Sequence, residues 1–233
     1  MGNYDKALIL QNEVSNIRRQ VLGADNYKNA SAISCVAGMH YRMGNITKAL
    51  PLFIEAKDIR EKSLGRLHPH FAVSLNSLAV VYQKIKAYDK ALPLYEEAIV
   101  IQEQILGPLH PRLAITLSNL ASFHMELENY DAALPLYQKA IDIRAKTLSQ
   151  HHPDYTLSLR GLTHLLYSMG QYKQAWSHAE KALQSSACYK KPLHICTEWS
   201  DGLLQTSFLS NKHLEETIST LAVIYKILQK DPG

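Results

Sequence analysis

The sequence predicts an all-α array of stacked helix pairs, and three observations support this prediction. A phrase centred on tyrosine, Tyr-Asp-Lys-Ala-Leu-Pro at residues 88–93, returns at a fixed spacing of 42 residues. Between its copies, apolar residues follow the i, i+3, i+4, i+7 spacing of amphipathic helices. Glycine and proline close the copies, as they do at helix ends. A fixed period of this length indicates stacked copies of one supersecondary structure.

Five copies of the phrase align in steps of 42 residues and begin at Tyr4, Ile46, Tyr88, Tyr130 and Tyr172. Small residues recur in the same register on both helices of each repeat, which lets the two backbones approach closely. They are Ala37, Ala79 and Ala121 on the first helix, and Ala56, Ala98, Ala140 and Ala182 on the second. An aromatic residue in the same register is predicted to fill the wedge beside them, as Phe53, Tyr95 or Tyr137.

Each repeat contains a first helix, termed helix A, a short turn, and a second helix, termed helix B. In the third copy the turn is Lys86-Ala87, and its first position is Gly44 or Gly170 in other copies. Glycine suits a helix end that needs a left-handed residue. Helix B then spans about residues 88–106 and ends at Gly107, which prolines follow. The order of these signals predicts a helix hairpin in each repeat.

The spacing Leu78-Ala79-x2-Tyr82, Tyr88-x2-Ala91-x3-Tyr95-x2-Ala98 resembles the tetratricopeptide repeat (TPR). The period is longer than the usual 34 residues of that family, and the surplus lies after Ala98, where helix B gains about two turns. With the motif Leu-Gly-x-x-His-Pro at residues 64–69 and 106–111, the chain resembles the 42-residue subtype of kinesin light chains and nephrocystin-like proteins. This resemblance implies a right-handed TPR α-solenoid of antiparallel helix pairs that binds other proteins.

The register predicts one solenoid over residues 1–233. An orphan helix B is expected at residues 3–22, without a helix A before it. The predicted helix pairs cover residues 29–64, 71–106, 113–148 and 155–187. Residues 197–230 are predicted to form a degenerate fifth pair or a C-terminal cap.

Composition and charge argue against nucleic-acid and membrane partners. The formal net charge of +4 is scattered, without a run of Lys or Arg. No stretch of about 18 apolar residues without a charge indicates a membrane span. The three cysteines, Cys35, Cys188 and Cys196, form no disulfide framework, so the prediction is a cytoplasmic protein. Cys35, among small residues of a helix A, is expected to lie in the core.

Histidine and cysteine are the candidates for metal chemistry, and both favour a structural interpretation. His68, His110 and His152 recur in steps of 42 residues, each before a proline. A residue repeated at one site of every repeat is expected to belong to the repeat's architecture, through packing or a turn hydrogen bond. The Cys188-x7-Cys196 spacing near His194 does not match a zinc site. With no phosphate-binding loop or nucleophile motif, we predict no cofactor, no metal and no enzymatic activity.

The resemblance to TPR proteins implies that helix A lines a concave groove that binds a peptide. Mapping the family's lining positions gives Arg42, Asn76, Gln83, Lys84, Ser118, Asn119, Arg160 and His164. An asparagine amide can bond both the C=O and the N–H of an extended peptide backbone. Arginine can pair with acidic side chains in a bidentate way. We therefore expect a protein or peptide ligand of unspecified identity.

Two alternatives remain open from the sequence. In the first, the array is the sensor or targeting arm of a larger multidomain protein, such as a TPR-linked caspase-like protease. In the second, it is a structural unit that self-assembles through the N-terminal edge, where the orphan helix lacks its partner. Both alternatives retain the predicted fold.

Overall fold

The computed structural model describes residues 2–149, 151–185 and 223, and α-helix is the regular secondary structure of this part of the chain. The helices are α1 (Gly2–Leu22), α2 (Tyr27–Arg42), α3 (Ile46–Leu64), α4 (Pro69–Lys84), α5 (Tyr88–Leu106), α6 (Pro111–Glu126), α7 (Tyr130–Thr147), α8 (Pro153–Ser168) and α9 (Tyr172–Ser185). The prediction of an all-α fold of repeated helix pairs is confirmed. Apart from residue 223, the predicted fifth pair at residues 197–230 lies outside the described residues, as do Cys188, His194 and Cys196.

The chain divides into two compact units, unit 1 (Met1–Thr116) and unit 2 (Leu117–Gly233), with the boundary inside α6. Within unit 1, α2 packs on α3 and α4 packs on α5, while α1 packs on α2 and α3 on α4. Within unit 2, α8 packs on both α7 and α9. Consecutive helices joined by short turns therefore pack as neighbours, which is the arrangement of antiparallel helix hairpins.

The core of unit 1 is built where small residues meet an aromatic ring. Ala37, Ala49 and Phe53 form one buried cluster with Leu78 and Val81 of α4. Alanine brings the α2 and α3 backbones close together, and Phe53 fills the space that remains against α4. The sequence prediction for the recurring alanines and the aromatic position is confirmed, since the members in the described repeats are buried.

The core of unit 2 has the same construction, with one closer contact. Tyr137 is buried in a cluster that includes Ala133, Leu162 and Leu165. A Cβ atom placed on Gly161 of α8 would lie 2.6 Å from Cε1 of the Tyr137 ring. Glycine therefore allows α8 to approach the aromatic ring of α7 more closely than any other residue would permit.

The recurring histidines cap the first helices of the repeats. The Nδ1 atoms of His68, His110 and His152 accept hydrogen bonds from the backbone N–H two residues later, at 3.1, 3.1 and 3.2 Å. Asn26 occupies the same register position before α2, and its Oδ1 accepts in the same way at 3.0 Å. These bonds satisfy N–H groups that a helix N-terminus leaves without an intrahelical partner. The predicted architectural role of the histidines is confirmed.

The turn between the two helices of a repeat takes a left-handed residue. Gly44 and Gly170 have φ angles of 79° and 73°, and Lys86 and Glu128 occupy the same place with φ angles of 60° and 58°. A non-glycine residue pays a steric cost in this conformation. The turn geometry is thus kept in repeats whose sequence no longer contains glycine.

Candidate functional site

In unit 1, the predicted binding residues lie on the last turn of α2 and on α4. Arg42 and Lys84 are exposed at the ends of their helices, while Asn76 and Gln83 are half-buried. The Gln83 Oε1 atom accepts a hydrogen bond of 2.8 Å from the Tyr95 hydroxyl of α5. Asn76 also makes an intramolecular interaction. The bond from Tyr95 fixes the Gln83 amide, so Gln83 is an oriented group at the protein surface.

In unit 2, the predicted residues lie on α6 and α8. Ser118 and Asn119 are half-buried on α6, and on α8 Arg160 is half-buried while His164, one turn further, is exposed. Burial raises the pKa of the Tyr137 hydroxyl, and its hydrogen bond with Ser122 and the nearby Arg160 guanidinium oppose that rise. Arg160 therefore lies close to the tyrosine that fills the core, and Arg160 and His164 share one face of α8.

Two buried arginines on the helices B form a feature that the sequence analysis missed. Arg60 on α3 and Arg144 on α7 are only 5% and 3% exposed, and Gln102 at the same register position of α5 is 1% exposed. Arginine is almost never buried unless it is paired. The signal in the sequence is the in-phase recurrence of Arg18, Arg60 and Arg144 with the 42-residue period.

Both buried guanidinium groups are held by serine hydroxyls. Arg60 Nη1 donates to Ser74 Oγ at 2.6 Å, and its Nη2 donates to Ser31 Oγ at 3.4 Å. Arg144 Nη1 donates to Ser118 Oγ at 2.8 Å and also to Ser158 Oγ. These bonds link α3 to α2 and α4 in unit 1, and α7 to α6 and α8 in unit 2. Ser118, one of the predicted binding residues, is thus also a partner of a buried arginine.

Burial is the largest influence on the pKa of each buried arginine and lowers it. Around Arg60, Cys35 opposes this lowering and the positive charge of Arg112 adds to it. Around Arg144, the Asp154 carboxylate opposes the lowering. The two arginines therefore occupy the same register position of the repeat in different electrostatic surroundings.

Cys35 corrects one expectation, because its side chain is exposed and does not lie in the core. The face of α2 that packs on α3 is made by Ile33, Val36 and Ala37, and Cys35 falls between them on the other side of the helix. Within the described residues, no group of three or more His, Cys, Asp or Glu side chains is arranged to hold a metal ion. None of the described helices has both the length and the apolar character that a membrane span requires.

Solved structures of repeat proteins resemble this fold. BtubC (BKLC) from P. vanneervenii aligns with a TM-score of 0.67 and 21% identity, covering 79% of this chain and 73% of that one. TPR-like repeats of a kinesin-light-chain-type protein from Podosopora anserina align with a TM-score of 0.62 and 24% identity, covering 82% and 90%. Aspartyl phosphate phosphatase F from Bacillus subtilis aligns at 0.62 and 16% identity, covering 88% and 50%. At these identities the likeness concerns the fold alone.

No curated protein matches the chain significantly in sequence. The family model for the tetratricopeptide repeat, in contrast, matches residues 28–104, 70–122 and 112–186. These matches overlap and together extend over residues 28–186, which is more than half of the chain. They also include the helix pairs, the buried alanines and the capping histidines described above. The chain therefore belongs to the tetratricopeptide repeat family.

Proposed function

We propose that this chain is a cytoplasmic protein-interaction scaffold that binds an extended segment of a partner on the exposed faces of its helices A. TPR repeats generally mediate protein–protein interactions, and proteins of this type are typically non-enzymatic scaffolds. We accordingly propose that binding, without catalysis, is the activity of this chain.

One observation carries the proposal. Asn76, Ser118 and Arg160 occupy the same register position in successive repeats, and all three are half-buried polar residues on a helix A. The adjacent positions that face the core stay apolar and buried, as at Leu75, Leu117 and Leu159. A position that stays accessible while its residue type changes from repeat to repeat is suited to recognising different groups along a ligand.

The side chains at these faces have the chemistry that peptide binding requires. The Asn76 amide can both donate to and accept from a peptide backbone. Lys84 and Arg42 in unit 1, and Arg160 in unit 2, can pair with acidic side chains of a ligand. Because packed helices already hold these groups in place, binding costs less conformational entropy than it would on a flexible loop.

The test begins with random peptides displayed on phage and selected against the purified chain. For the selected peptide, we expect Asn76→Ala and Arg160→Glu each to weaken binding about tenfold, which corresponds to about 1.4 kcal/mol. Matched controls are Gln104→Ala on α5 and Lys146→Glu on α7, which change exposed residues of helices B. Isothermal titration calorimetry gives the affinities. If both helix-A variants bind as tightly as their controls, the proposal is wrong.

A second candidate function is self-association through α1. Leu10 and Ile17 on this helix are 62% and 59% exposed, whereas Ile59, at the register position of Ile17 on α3, is only 6% exposed. In the other repeats this face of helix B is covered by a helix A. A second copy of this chain covering α1 would bury the same face, so we expect the mass measured by light scattering to rise with concentration. A constant monomer mass up to high concentration would exclude this candidate.

A further inference from the structure

We infer that Arg60, together with Ser31, Ser74, His70 and Arg112, forms a carboxylate-binding subsite in unit 1 for an aspartate or glutamate of the bound segment. This inference rests on the proposed function, because it names the chemical class of one part of the ligand. It differs from the helix-A positions considered above, since its central residue comes from a helix B and reaches between α2 and α4.

The first argument is that the positive charge of Arg60 is buried without a compensating negative charge. Among the described residues, the hydrogen-bond partners of its guanidinium are the neutral hydroxyls of Ser31 and Ser74, and no carboxylate lies within ion-pair distance. Its Nε atom is buried and has no hydrogen-bond partner there. Removing a charge from water costs several kcal/mol unless an opposite charge and further hydrogen bonds compensate for it. An external carboxylate would supply both.

The second argument comes from the equivalent arginine of unit 2. Arg144 lies two repeats after Arg60, and Asp154 lies two repeats after His70 in the same register. The Asp154 carboxylate is close enough to favour the charged state of Arg144. In unit 1, the place of this carboxylate is taken by a histidine. The chain thus supplies an internal anion near one buried arginine and a second basic group near the other.

The third argument is the collection of positive groups around Arg60. Burial lowers the pKa of His70, and Arg112, Arg60 and His68 lower it further, so these basic groups lie within electrostatic reach of one another. Arg112 also lowers the pKa of Arg60. Like charges held together are destabilising on their own, and a bound anion removes that cost. The cluster is therefore arranged to favour an anionic ligand.

The fourth argument is access from the surface. Ser31 and His70 are only half-buried, and Cys35, one turn after Ser31 on α2, is exposed. The rings of Tyr27 and His70 stack across the α2–α4 boundary with their centroids 6.2 Å apart. Ser31 and Cys35 lie on the same side of α2 as Ser34 and Gly38, which follow at helical spacing. A segment lying along α2 and α4 would therefore pass directly over the buried guanidinium.

A carboxylate suits this site better than a neutral group does. Hydrogen bonds between a guanidinium and a carboxylate are charge-assisted and stronger than bonds between neutral partners. The serine hydroxyls can rotate to donate to the carboxylate oxygens once Arg60 turns its fork toward the ligand. The side chain of aspartate or glutamate in an acidic segment meets these requirements.

The test compares two end-blocked peptides, hexaglutamate and hexaglutamine, by fluorescence anisotropy with the full chain. We expect hexaglutamate to bind and hexaglutamine not to bind measurably. Arg60→Gln should weaken hexaglutamate binding about tenfold or more, and Arg112→Gln by a smaller factor. Glutamine at position 60 is compatible with folding, because Gln102 is buried at this register position of the next repeat. The matched control is Arg144→Gln, which removes the equivalent charge in unit 2 and should leave binding unchanged.

The pKa of the His70 imidazole, measured by NMR, provides a second readout. It should rise when hexaglutamate binds to the wild-type chain, because a bound carboxylate favours the protonated imidazole. A purely structural role of Arg60 would not produce this rise. Equal binding of hexaglutamate to the wild-type and Arg60→Gln chains, both folded by circular dichroism, would overturn the inference. So would an equal loss of binding in the Arg144→Gln control, because it would indicate a general charge effect.

The outcome also separates this inference from the proposed function. If displayed peptides depend on Asn76 and Arg160 while hexaglutamate is insensitive to Arg60→Gln, the scaffold function stands and the subsite is wrong. If hexaglutamate depends on Arg60 while displayed peptides ignore both helix-A substitutions, the subsite stands and the proposed binding faces are wrong.

Discussion

Phe71→Ala should lower the free energy of unfolding by about 3–5 kcal/mol, the range for truncating a buried phenylalanine. Phe71 lies near the start of α4 and is only 1% exposed. It packs in a cluster with Leu75 of its own helix and with Ala98 and Ile101 of α5. The alanines bring the helices close together, so the cavity left by the ring cannot easily be filled by neighbouring side chains.

Urea denaturation followed by circular dichroism at 222 nm measures this effect. Leu67→Ala is the matched control, because Leu67 precedes the same helix and is 66% exposed. We expect the control to change stability by less than about 0.5 kcal/mol, as is usual for surface substitutions. A Phe71→Ala variant as stable as the control would contradict the packing of α4 on α5.

Gly161→Ala should destabilise unit 2 by about 1–3 kcal/mol, because it forces an additional methyl group into a packed core. The new Cβ atom would lie 2.6 Å from Cε1 and 2.9 Å from Cζ of the Tyr137 ring. Real side chains do not approach so closely, and the ring is buried between helices, so α8 or the ring must move. Thermal unfolding of unit 2, followed by the fluorescence of Trp176 on α9, provides the measurement.

Gly38→Ala is the control of opposite sign. Gly38 also lies inside a helix, but a Cβ atom placed there meets no atom within 4 Å. Replacing a helix-interior glycine by alanine without a clash stabilises a protein by about 0.4–1 kcal/mol. If both glycine substitutions shift stability in the same direction, the close approach of α8 to Tyr137 is not the cause.

The period of the sequence allowed the fold to be predicted because the repeated features are local. Alanines that allow close backbone approach, a histidine that caps a helix, and a turn residue with positive φ each act within one hairpin. The left-handed turn persists at Lys86 and Glu128 even where glycine is lost. The shape of the hairpin is therefore specified several times over, and a change at one position leaves it recognisable.

The site could be predicted less completely, because its features depend on contacts between helices that are distant in sequence. Charge suggests that Arg60 is solvated, and only the packing of α3 between α2 and α4 buries it. Cys35 was expected in the core on composition alone, and the rotation of α2 places it outside. The hydrogen bond from Tyr95 to Gln83 likewise joins α5 to α4 and has no signature in either helix.

The most direct test of the account is to map a bound peptide on the chain by NMR. A peptide selected by phage display would be titrated into isotopically labelled protein, and the backbone amide shifts recorded. The account predicts that the largest changes fall on the helices A, around Asn76 and Lys84 of α4 and around Arg160 and His164 of α8. Changes concentrated instead on the exposed sides of α3, α5 and α7 would contradict it.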